Sequence, residues 1–301
     1  MRITNGITHH RLVNNIQRGL GRLDTYYNQL STGKRLNYPS DDPVGLAIGL
    51  NLKEGISEGA QYKKNAQTAI GWLNSADDAL GQMTKVLHRL QELCVSGGNG
   101  SLPPESMNAL ADEVTQLRDH LLQLANTRHE KRYIFAGQQT DDPPFLFDDT
   151  LVVGDPGRFQ YQGDDEGMVI EIGTGVTLTI THHGEEIFGT NAQFFHDLDT
   201  FIEDLRAMDH ATVATTHLEM LSDKLDDVLS VRSQIGAKVQ RLERTVERYE
   251  AMDVNLKGLL SKIEDADIAE VTMNMMMKES VYQAALATGA RIIQNTLVDY
   301  V

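Results

Sequence analysis

The sequence predicts a mainly α-helical chain with a β-rich insert, in which both chain ends form a long antiparallel helical rod or coiled-coil bundle and the insert forms an outer domain. Near both ends, apolar residues recur at alternating spacings of three and four residues, as in the seam of a coiled coil. This periodicity stops near residue 133 and resumes near residue 210. Aromatic residues make up only 6% of the 301 residues, which is typical of long helices rather than compact cores.

The first helix is predicted over about residues 8–32. Gly33 follows its apolar stripe and is expected to stop the helix, and Asp42 before Pro43 is expected to cap the next one. The stripe predicts an interface for assembly. Its six seam residues are Val13, Ile16, Leu20, Leu23, Tyr27 and Leu30.

A second helix is predicted over residues 44–95, which would span roughly 80 Å at 1.5 Å per residue. The Gly- and Pro-rich segment 96–104 breaks it, and a third helix is expected to return beside it as an antiparallel hairpin. The clearest seam residues of the two helices are Leu73, Ala76, Leu80, Met83, Leu87, Leu90 and Cys94, then Met107, Leu110, Val114, Leu117, Leu121 and Leu124.

The insert, residues 133–209, has a different character. Turn clusters of Gly and Asp separate short β-type runs, and one amphipathic helix closes the segment. Sixteen Asp and Glu against two Arg give it a charge of −14, nearly all of the chain's net −16. We interpret it as a separate, outward-facing, acidic β-rich domain. The predicted strands are 145–147, 151–153, 158–161, 168–172 and 176–180, and the helix carries Phe194, Leu198, Phe201, Ile202 and Leu205.

After the insert, a heptad pattern continues over residues 218–263. Arg232 and Asp253 occupy two seam positions, where charges often set register or partner choice at some cost in stability. The last segment, 267–301, is apolar almost all round from residue 280 onward. Such a helix must be buried, and its polar residues favour burial in a protein assembly over a bilayer.

These patterns divide the chain into three predicted parts. Residues 1–35 and 267–301 form terminal polymerisation helices, residues 36–132 and 210–266 form a helical rod, and residues 133–209 form the outer domain. In a single copy each terminal helix buries only one seam, so we expect these ends to become ordered when neighbouring copies pack against them. A head-to-tail contact of this kind generates rings or helical tubes.

The charges of the two ends favour their association. Residues 1–35 carry a side-chain charge of +5, and residues 264–279 carry −4. In the C-terminal helix the predicted interface residues are Leu286, Ile292, Ile293 and Leu297. A second predicted surface, for a chaperone and then for neighbouring subunits, consists of Met273, Met275, Met276 and Met277, because methionine adapts to irregular partners. Ordinary core packing is the alternative for these methionines.

Composition argues against several classes of protein. With 27 Lys and Arg against 43 Asp and Glu, neither nucleic acid nor an anionic membrane is an expected partner. The single cysteine, Cys94, cannot form an intrachain disulfide and lies on an apolar stripe, which favours a core residue over a nucleophile. Neither a Sec-type signal nor an apolar run of about 18 residues is found, so cytoplasmic residence or export without a cleaved signal is expected.

No catalytic, cofactor or metal site is predicted. The carboxylates of residues 41–42 are interpreted as helix caps. The histidine pairs 9–10 and 182–183 lack further ligands nearby, and adjacent side chains diverge. The acidic turn 164–166 lacks the spacing of an EF-hand, and the Gly-rich segment 97–100 lacks the Lys of a phosphate loop.

Motifs at both ends resemble the bacterial flagellin family. Residues 30–43 (LSTGKRLNYPSDDP) resemble its N-terminal signature, and residues 285–294 (ALATGARIIQ) resemble its C-terminal counterpart. Residues 124–128 (LANTR), 133–137 (YIFAG) and 140–145 (TDDPPF) are similar to the members that lie between the hook and the filament. The resemblance covers about 1–145 and 210–301, in matching order.

The resemblance implies a structural junction subunit of the flagellum, with terminal helices that line the axial channel. It implies export through the flagellar type III apparatus to the cell exterior. Implied partners are further copies of the chain, hook-associated protein 1, flagellin, and a cytoplasmic export chaperone that covers the C-terminal helix.

Other functions are alternatives to this one. The nearest is a flagellin that builds the filament itself. A coiled-coil enzyme or adhesin would place its activity in the insert. A phage or secretion-system tube protein is less favoured because of the paired end motifs.

Overall fold

Long helices account for most of residues 5–298, the part of the chain that this computed structural model describes. The prediction of a mainly helical chain with a β-rich insert is confirmed, and the predicted bounds of the first two helices differ from the observed ones by three residues or fewer. The long helices are α1 (Asn5–Thr32), α2 (Pro43–Gly97), α3 (Pro104–Ala125), α7 (Leu218–Glu264) and α8 (Ile268–Val298).

The segment between α3 and α7 contains short strands and short helices. Its strands pair as three antiparallel two-stranded hairpins, β1–β2, β3–β4 and β5–β6. A turn of 3-10 helix (Thr190–Ala192) precedes α5, and a turn of π-helix (Val213–His217) joins α6 to α7. The strands are Arg128–His129, Arg132–Tyr133, Phe145–Phe147, Phe159–Tyr161, Val169–Gly173 and Val176–Thr179, and the helices α4–α6 are Gly184–Phe188, Gln193–Ala207 and His210–Thr212.

Four of the five predicted strands are present, but the prediction of a strand at residues 151–153 is wrong. These residues form part of the loop that connects β3 to β4. Their carbonyl groups accept hydrogen bonds within the loop instead of from a neighbouring strand. The Val152 oxygen accepts a 3.1 Å bond from Asp155 N, and the Leu151 oxygen accepts one from the Arg158 guanidinium. The side chain of Val152 is exposed, so no buried face holds this apolar run in a sheet.

The chain forms two compact units. The first consists of Met1–Gly59 and Ala251–Val301, and the second is Ala60–Glu250, so that α2 and α7 each contribute to both units. In the first unit α1 pairs with α8, and the first part of α2 pairs with the last part of α7. The division into three parts drawn from the sequence remains a prediction.

The second unit has a core that α2, α3, α5 and α7 share with the strands. All seven seam residues predicted for α2 and all five predicted for α5 are buried. The eight phenylalanines of the chain all lie between residues 135 and 201, and they supply the aromatic packing that the long helices lack. The rings of Phe145, Phe159 and Phe188 surround Phe195 at centroid distances of 5.0–5.6 Å.

A buried cluster of charges crosses this core. Asp199 of α5 is only 2% exposed and accepts a 2.6 Å hydrogen bond from Arg158 Nε and another from the guanidinium of Arg118 in α3. Both guanidinium groups also lie 5.0 Å from the ring centroid of Phe147. The Asp199 carboxylate therefore joins two cations from different parts of the chain, and Asp119 adds a second carboxylate to Arg118 at 2.7 Å.

Replacing Asp199 with Ala should leave the largely buried Arg158 guanidinium without its ion-pair partner, while Arg118 keeps only Asp119 at 2.7 Å. We expect a loss of about 3–5 kcal/mol in the free energy of unfolding of this unit. Urea unfolding followed by the fluorescence of the single, buried Trp72 would measure it.

Asp197 provides the matched control, because it lies in the same helix and accepts a 2.8 Å hydrogen bond only from Gln193. Asp197→Ala should cost about 0.5 kcal/mol or less. Equal losses in the two variants would contradict a special role for the Asp199 carboxylate.

Candidate assembly surface on the terminal helices

Helices α1 and α8 pack side by side and run antiparallel. Glycines mark two points of close approach between them. A Cβ atom added to Gly19 would lie 3.5 Å from Tyr282 Cδ2, and one added to Gly289 would lie 2.8 Å from Leu12 Cδ2. Residue 19 of α1 thus lies beside residue 282 of α8, whereas residue 12 lies beside residue 289. The two helices therefore run in opposite directions. The two ends of the chain pair as their sequence patterns predicted.

Only part of the predicted seam of α1 is covered by this pairing. Leu23 is buried, and Ile16 and Leu30 are half-buried. By contrast, Leu20 is 55% exposed and Tyr27 is 53% exposed. The sixth seam residue, Val13, is exposed as well. Because α8 covers one side of the stripe, the other side remains an unpartnered apolar surface.

A groove of about 770 Å³ lies along this surface, between α1 and α8. Apolar side chains from both helices line it, with carboxylates and amides among them. Its mostly apolar lining can accept side chains from a further helix. The lining residues are Gln17, Leu20, Gly21, Leu23, Asp24, Tyr27, Glu279, Tyr282 and Gln283.

The two sides of α1 differ in charge. Its outer side exposes three arginines, Arg11, Arg18 and Arg22, at helical spacings of seven and four. The groove side carries the acidic residues Asp24 and Glu279. One surface of this helix pair is therefore complementary in charge to another, which favours contact between identical copies.

Helix α8 also exposes apolar residues of its own. Leu286 is exposed, and so are Met273, Met276 and Met277, while Met275 is half-buried. These four methionines thus lie mainly on the surface rather than in a core of this chain. The side chains of Ile292, Ile293 and Leu297 lie outside the described residues, so their predicted role in the interface stays a prediction.

The loop that follows α1 and the loop that precedes α8 are joined by backbone hydrogen bonds. Arg35 N donates a 2.6 Å hydrogen bond to the Glu264 carbonyl, and Ala266 N donates a 3.0 Å bond to the Gly33 carbonyl. Gly33 has φ +68°, the left-handed conformation that ends α1 as the sequence predicted. This backbone pairing holds the start of α8 beside the end of α1.

Four charged side chains form ion pairs beside these backbone hydrogen bonds. We call them the root clasp, and they are Lys34, Lys53, Glu264 and Asp265. Lys53 Nζ lies 2.5 Å from Glu264 Oε1, and Lys34 Nζ lies 2.6 Å from Asp265 Oδ1 and 3.7 Å from Glu264 Oε2. The hydrogen bond from Lys34 holds the pKa of Asp265 below its usual value. Among the described residues of the first unit, Glu264 is the only buried charged side chain.

Gly49 provides the space for the Glu264 carboxylate. A Cβ at Gly49 would lie 3.1 Å from Glu264 Oε1, closer than an ordinary contact. Sequence reasoning missed the root clasp, because its lysines and carboxylates lie more than 200 positions apart and no local spacing links them. The seam ending at Ile263, followed at once by two acids, was the only available signal.

Asp42 caps α2 as predicted, whereas the prediction of a helix cap is wrong for Asp41, which binds the loop before this helix. Asp42 Oδ1 accepts a 2.9 Å hydrogen bond from Gly45 N at the start of α2, and Asp41 Oδ2 accepts bonds from the backbone of Asn37 and Tyr38.

Within residues 5–298, no three or more His, Cys, Asp or Glu side chains gather where they could bind a metal ion. No helix of the described part has the length and apolar character to cross a membrane.

Two profiles of one protein family together match most of the chain. The bacterial flagellin N-terminal helical region matches residues 3–140, and the bacterial flagellin C-terminal helical region matches residues 218–301. The chain therefore belongs to the bacterial flagellin family. The two matched regions contain all five long helices, and the unmatched segment between them holds most of the insert.

Within this family, the flagellar hook-associated protein 3 of Salmonella typhimurium is 28% identical over 284 residues, covering 86% of this chain and 87% of that protein. The flagellin of Bacillus subtilis is 26% identical over 317 residues, covering 99% of each. A solved structure of a flagellar hook-associated protein from Vibrio parahaemolyticus shares the fold, with a TM-score of 0.67 at 21% identity over 75% of this chain and all of that one.

Removing the buried carboxylate of the root clasp should loosen the base of the terminal helices. In Glu264→Ala we expect the amides of Arg35 and Ala266 to exchange with deuterium about tenfold faster, which corresponds to about 1.4 kcal/mol. The loss is limited because both lysines are partly exposed and can be solvated. Glu270→Ala, at an exposed position in the first turn of α8, should leave these amides unchanged. Equal exchange in both variants would contradict this role.

Proposed function

We propose that this chain is a structural, non-catalytic subunit of the bacterial flagellum that joins the hook to the flagellin filament. Family membership supports a flagellar role, and the similarity to hook-associated protein 3 supports the junction over other positions. The observation that carries the proposal is the unpartnered apolar side of α1 beside the groove, since a chain with this surface needs neighbours to bury it.

Copies of the chain would bury this surface against one another. The proposed interface consists of the six seam residues of α1, of which α8 already covers Leu23, and of Leu286, Ile292, Ile293 and Leu297 of α8. The contact is head-to-tail, because the arginine side of α1 and the groove with Asp24 and Glu279 are different surfaces. Repetition of such a contact closes a ring or continues as a helical tube.

The proposed partners on either side are hook-associated protein 1 and flagellin. The hook bends, whereas the filament is stiff, so a direct joint would strain the contacts of both. A ring of subunits with flagellin-like terminal helices can continue the packing of the filament, while its other surfaces fit the hook side. The family's shared terminal helices support this arrangement.

The methionines of α8 are the proposed surface for an export chaperone in the cytoplasm. Met273, Met276 and Met277 are exposed in the free chain, and their flexible thioethers can fit first a chaperone and then a neighbouring subunit. We propose that the chain then leaves the cell through the flagellar type III apparatus.

The second candidate is a flagellin that forms the filament itself. The similarity to Bacillus subtilis flagellin favours it, because that match covers 99% of both chains. The two candidates differ in what a cell without the protein can still build.

Deleting the gene separates them. A cell without the junction subunit should keep its hooks and release flagellin into the medium, because exported flagellin finds no ring on which to polymerise. A cell without its filament subunit should have no flagellin to release. Electron microscopy of the hooks and immunoblotting of the medium would measure the outcome. Hooks with empty medium would contradict the junction role.

The same strain can test the assembly surface. Complementation with the double variant Leu20→Ser and Tyr27→Ser should yield an exported protein that fails to restore filaments, because the apolar surface is lost. Leu229→Ser, an exposed leucine in the second unit, is the matched control and should restore them. Normal filaments in both strains would exclude this surface from assembly.

Replacing the four methionines of α8 with Leu tests the chaperone surface. The branched side chain adapts less well, so we expect affinity for the export chaperone to fall about tenfold, or about 1.4 kcal/mol. Calorimetry with the purified chaperone would measure it. Met208 and Met252 are also exposed, and their replacement with Leu should leave binding unchanged. Unchanged binding in the fourfold variant would contradict the assignment.

A further inference from the structure

Two adjacent histidines between β6 and α4 have separate roles in the second unit. His183 caps α4, since its Nδ1 accepts a 3.2 Å hydrogen bond from Glu186 N. His182 is buried between two charged side chains of different elements. Its Nδ1 lies 2.9 Å from Glu186 Oε2, and its Nε2 lies 3.1 Å from Nζ of Lys238 in α7.

One protonation state of His182 satisfies both contacts. In the neutral ring with the proton on Nδ1, this nitrogen donates to the Glu186 carboxylate, and Nε2 accepts from the Lys238 ammonium group. A proton added to Nε2 would face the Lys238 ammonium group at 3.1 Å. Two hydrogen-bond donors would then point at each other, and two positive charges would repel each other. The contact with α7 therefore depends on a neutral ring.

We propose that His182, Glu186 and Lys238 form a pH-sensitive latch, which holds the β5–β6 hairpin and α4 against α7 at neutral pH and opens in mildly acidic medium. The latch is independent of the assembly surface and of the junction role. It joins the segment that directly follows β6 to the middle of a long helix.

Two side-chain hydrogen bonds also join the hairpin to the long helices, and Ile172 and Ile180 pack in the core that it shares with them. Tyr249 Oη of α7 donates a 3.1 Å hydrogen bond to the Ile172 carbonyl, and Asn65 Nδ2 of α2 donates a 2.9 Å bond to the Glu171 carbonyl. Both bonds involve β5. On the β6 side the latch adds a polar contact with α7 to the apolar packing of Ile180, so we expect its opening to loosen this side of the hairpin first.

The charges around the ring set the direction of the response. The charged and titratable groups acting on His182 are Glu186 and His183 from α4 and its cap, and Lys238 from α7. Burial lowers the pKa of His182 below its ordinary 6.5, and burial also lowers the pKa of Lys238. The folded chain thus resists a second positive charge at this point, although Glu186 partly offsets the effect.

The sign of the pH dependence follows from linkage. Because the pKa of His182 is lower in the folded chain than in the unfolded one, the unfolded chain binds more protons as the pH falls below about 6.5. The stabilisation by the latch is complete above this value. It is lost as the pH falls from there through the folded-state pKa.

Hydrogen exchange on the full chain tests the latch. Between pH 7.5 and pH 5.0, after correction for intrinsic rates, we expect the protection of the β5–β6 amides to fall about tenfold. In His182→Gln the side chain does not titrate, so protection should be equal at the two pH values. A fall of the same size in His182→Gln, or none in the unmodified chain, would overturn the proposal.

Titration of the His182 ring by NMR tests the part played by Lys238. In Lys238→Met the opposing charge is removed, so the midpoint of the ring's titration should rise. Lys224→Met is the matched control, because Lys224 lies in the same helix and pairs only with Asp227 at 2.7 Å. A midpoint that is the same in the unmodified chain and in Lys238→Met would overturn the proposal. Trp72 fluorescence would verify that each variant is folded.

Discussion

Antiparallel pairing of helices from opposite ends of the chain is the interaction on which the rest of this structure depends. In the first unit α1 lies against α8, and the first part of α2 lies against the last part of α7. A pair of helices can bury only the facing stripe of each member, so the remainder of an apolar seam stays at the surface. The exposure of Leu20 and Tyr27 follows from this geometry. The capacity for assembly is thus a consequence of the fold rather than an added feature.

Buried charges hold the points at which distant segments meet. Glu264 joins two lysines at the base of the terminal helices, and Asp199 joins two arginines across the core of the second unit. Desolvation offsets much of the Coulomb attraction in such pairs, so their main effect is to make one arrangement better than its alternatives. Apolar seams permit neighbouring registers that differ by a heptad, whereas a buried carboxylate with fixed partners does not.

The insert shows a different balance from the helices around it. The long helices pack with aliphatic side chains, while the insert contributes every phenylalanine of the chain to a core shared with α2 and α3. Its hairpins are too short to be stable alone. They depend on the helices beneath them, and the proposed latch at His182 would be one of the contacts that hold a hairpin there.

Much of the fold was determined by the sequence alone. Heptad spacing, Gly33, and Asp42 before Pro43 determined the helices and their ends, because helical periodicity and capping are local properties. The flagellin motifs at both ends determined the family. The seam of α1 was also predicted, although nothing local could tell that α8 would cover Leu23 and leave Leu20 exposed.

Tertiary structure alone decided which distant residues meet. The apolar run at 151–153 resembled a strand, but turn hydrogen bonds hold it in a loop with Val152 exposed. Three buried polar contacts join segments that lie between 41 and 230 positions apart. They are the ion pairs of Glu264, the ion pairs of Asp199, and the contact between His182 and Lys238. Periodicity shows which side of a helix is apolar, but the partner of a charge is set by packing in three dimensions.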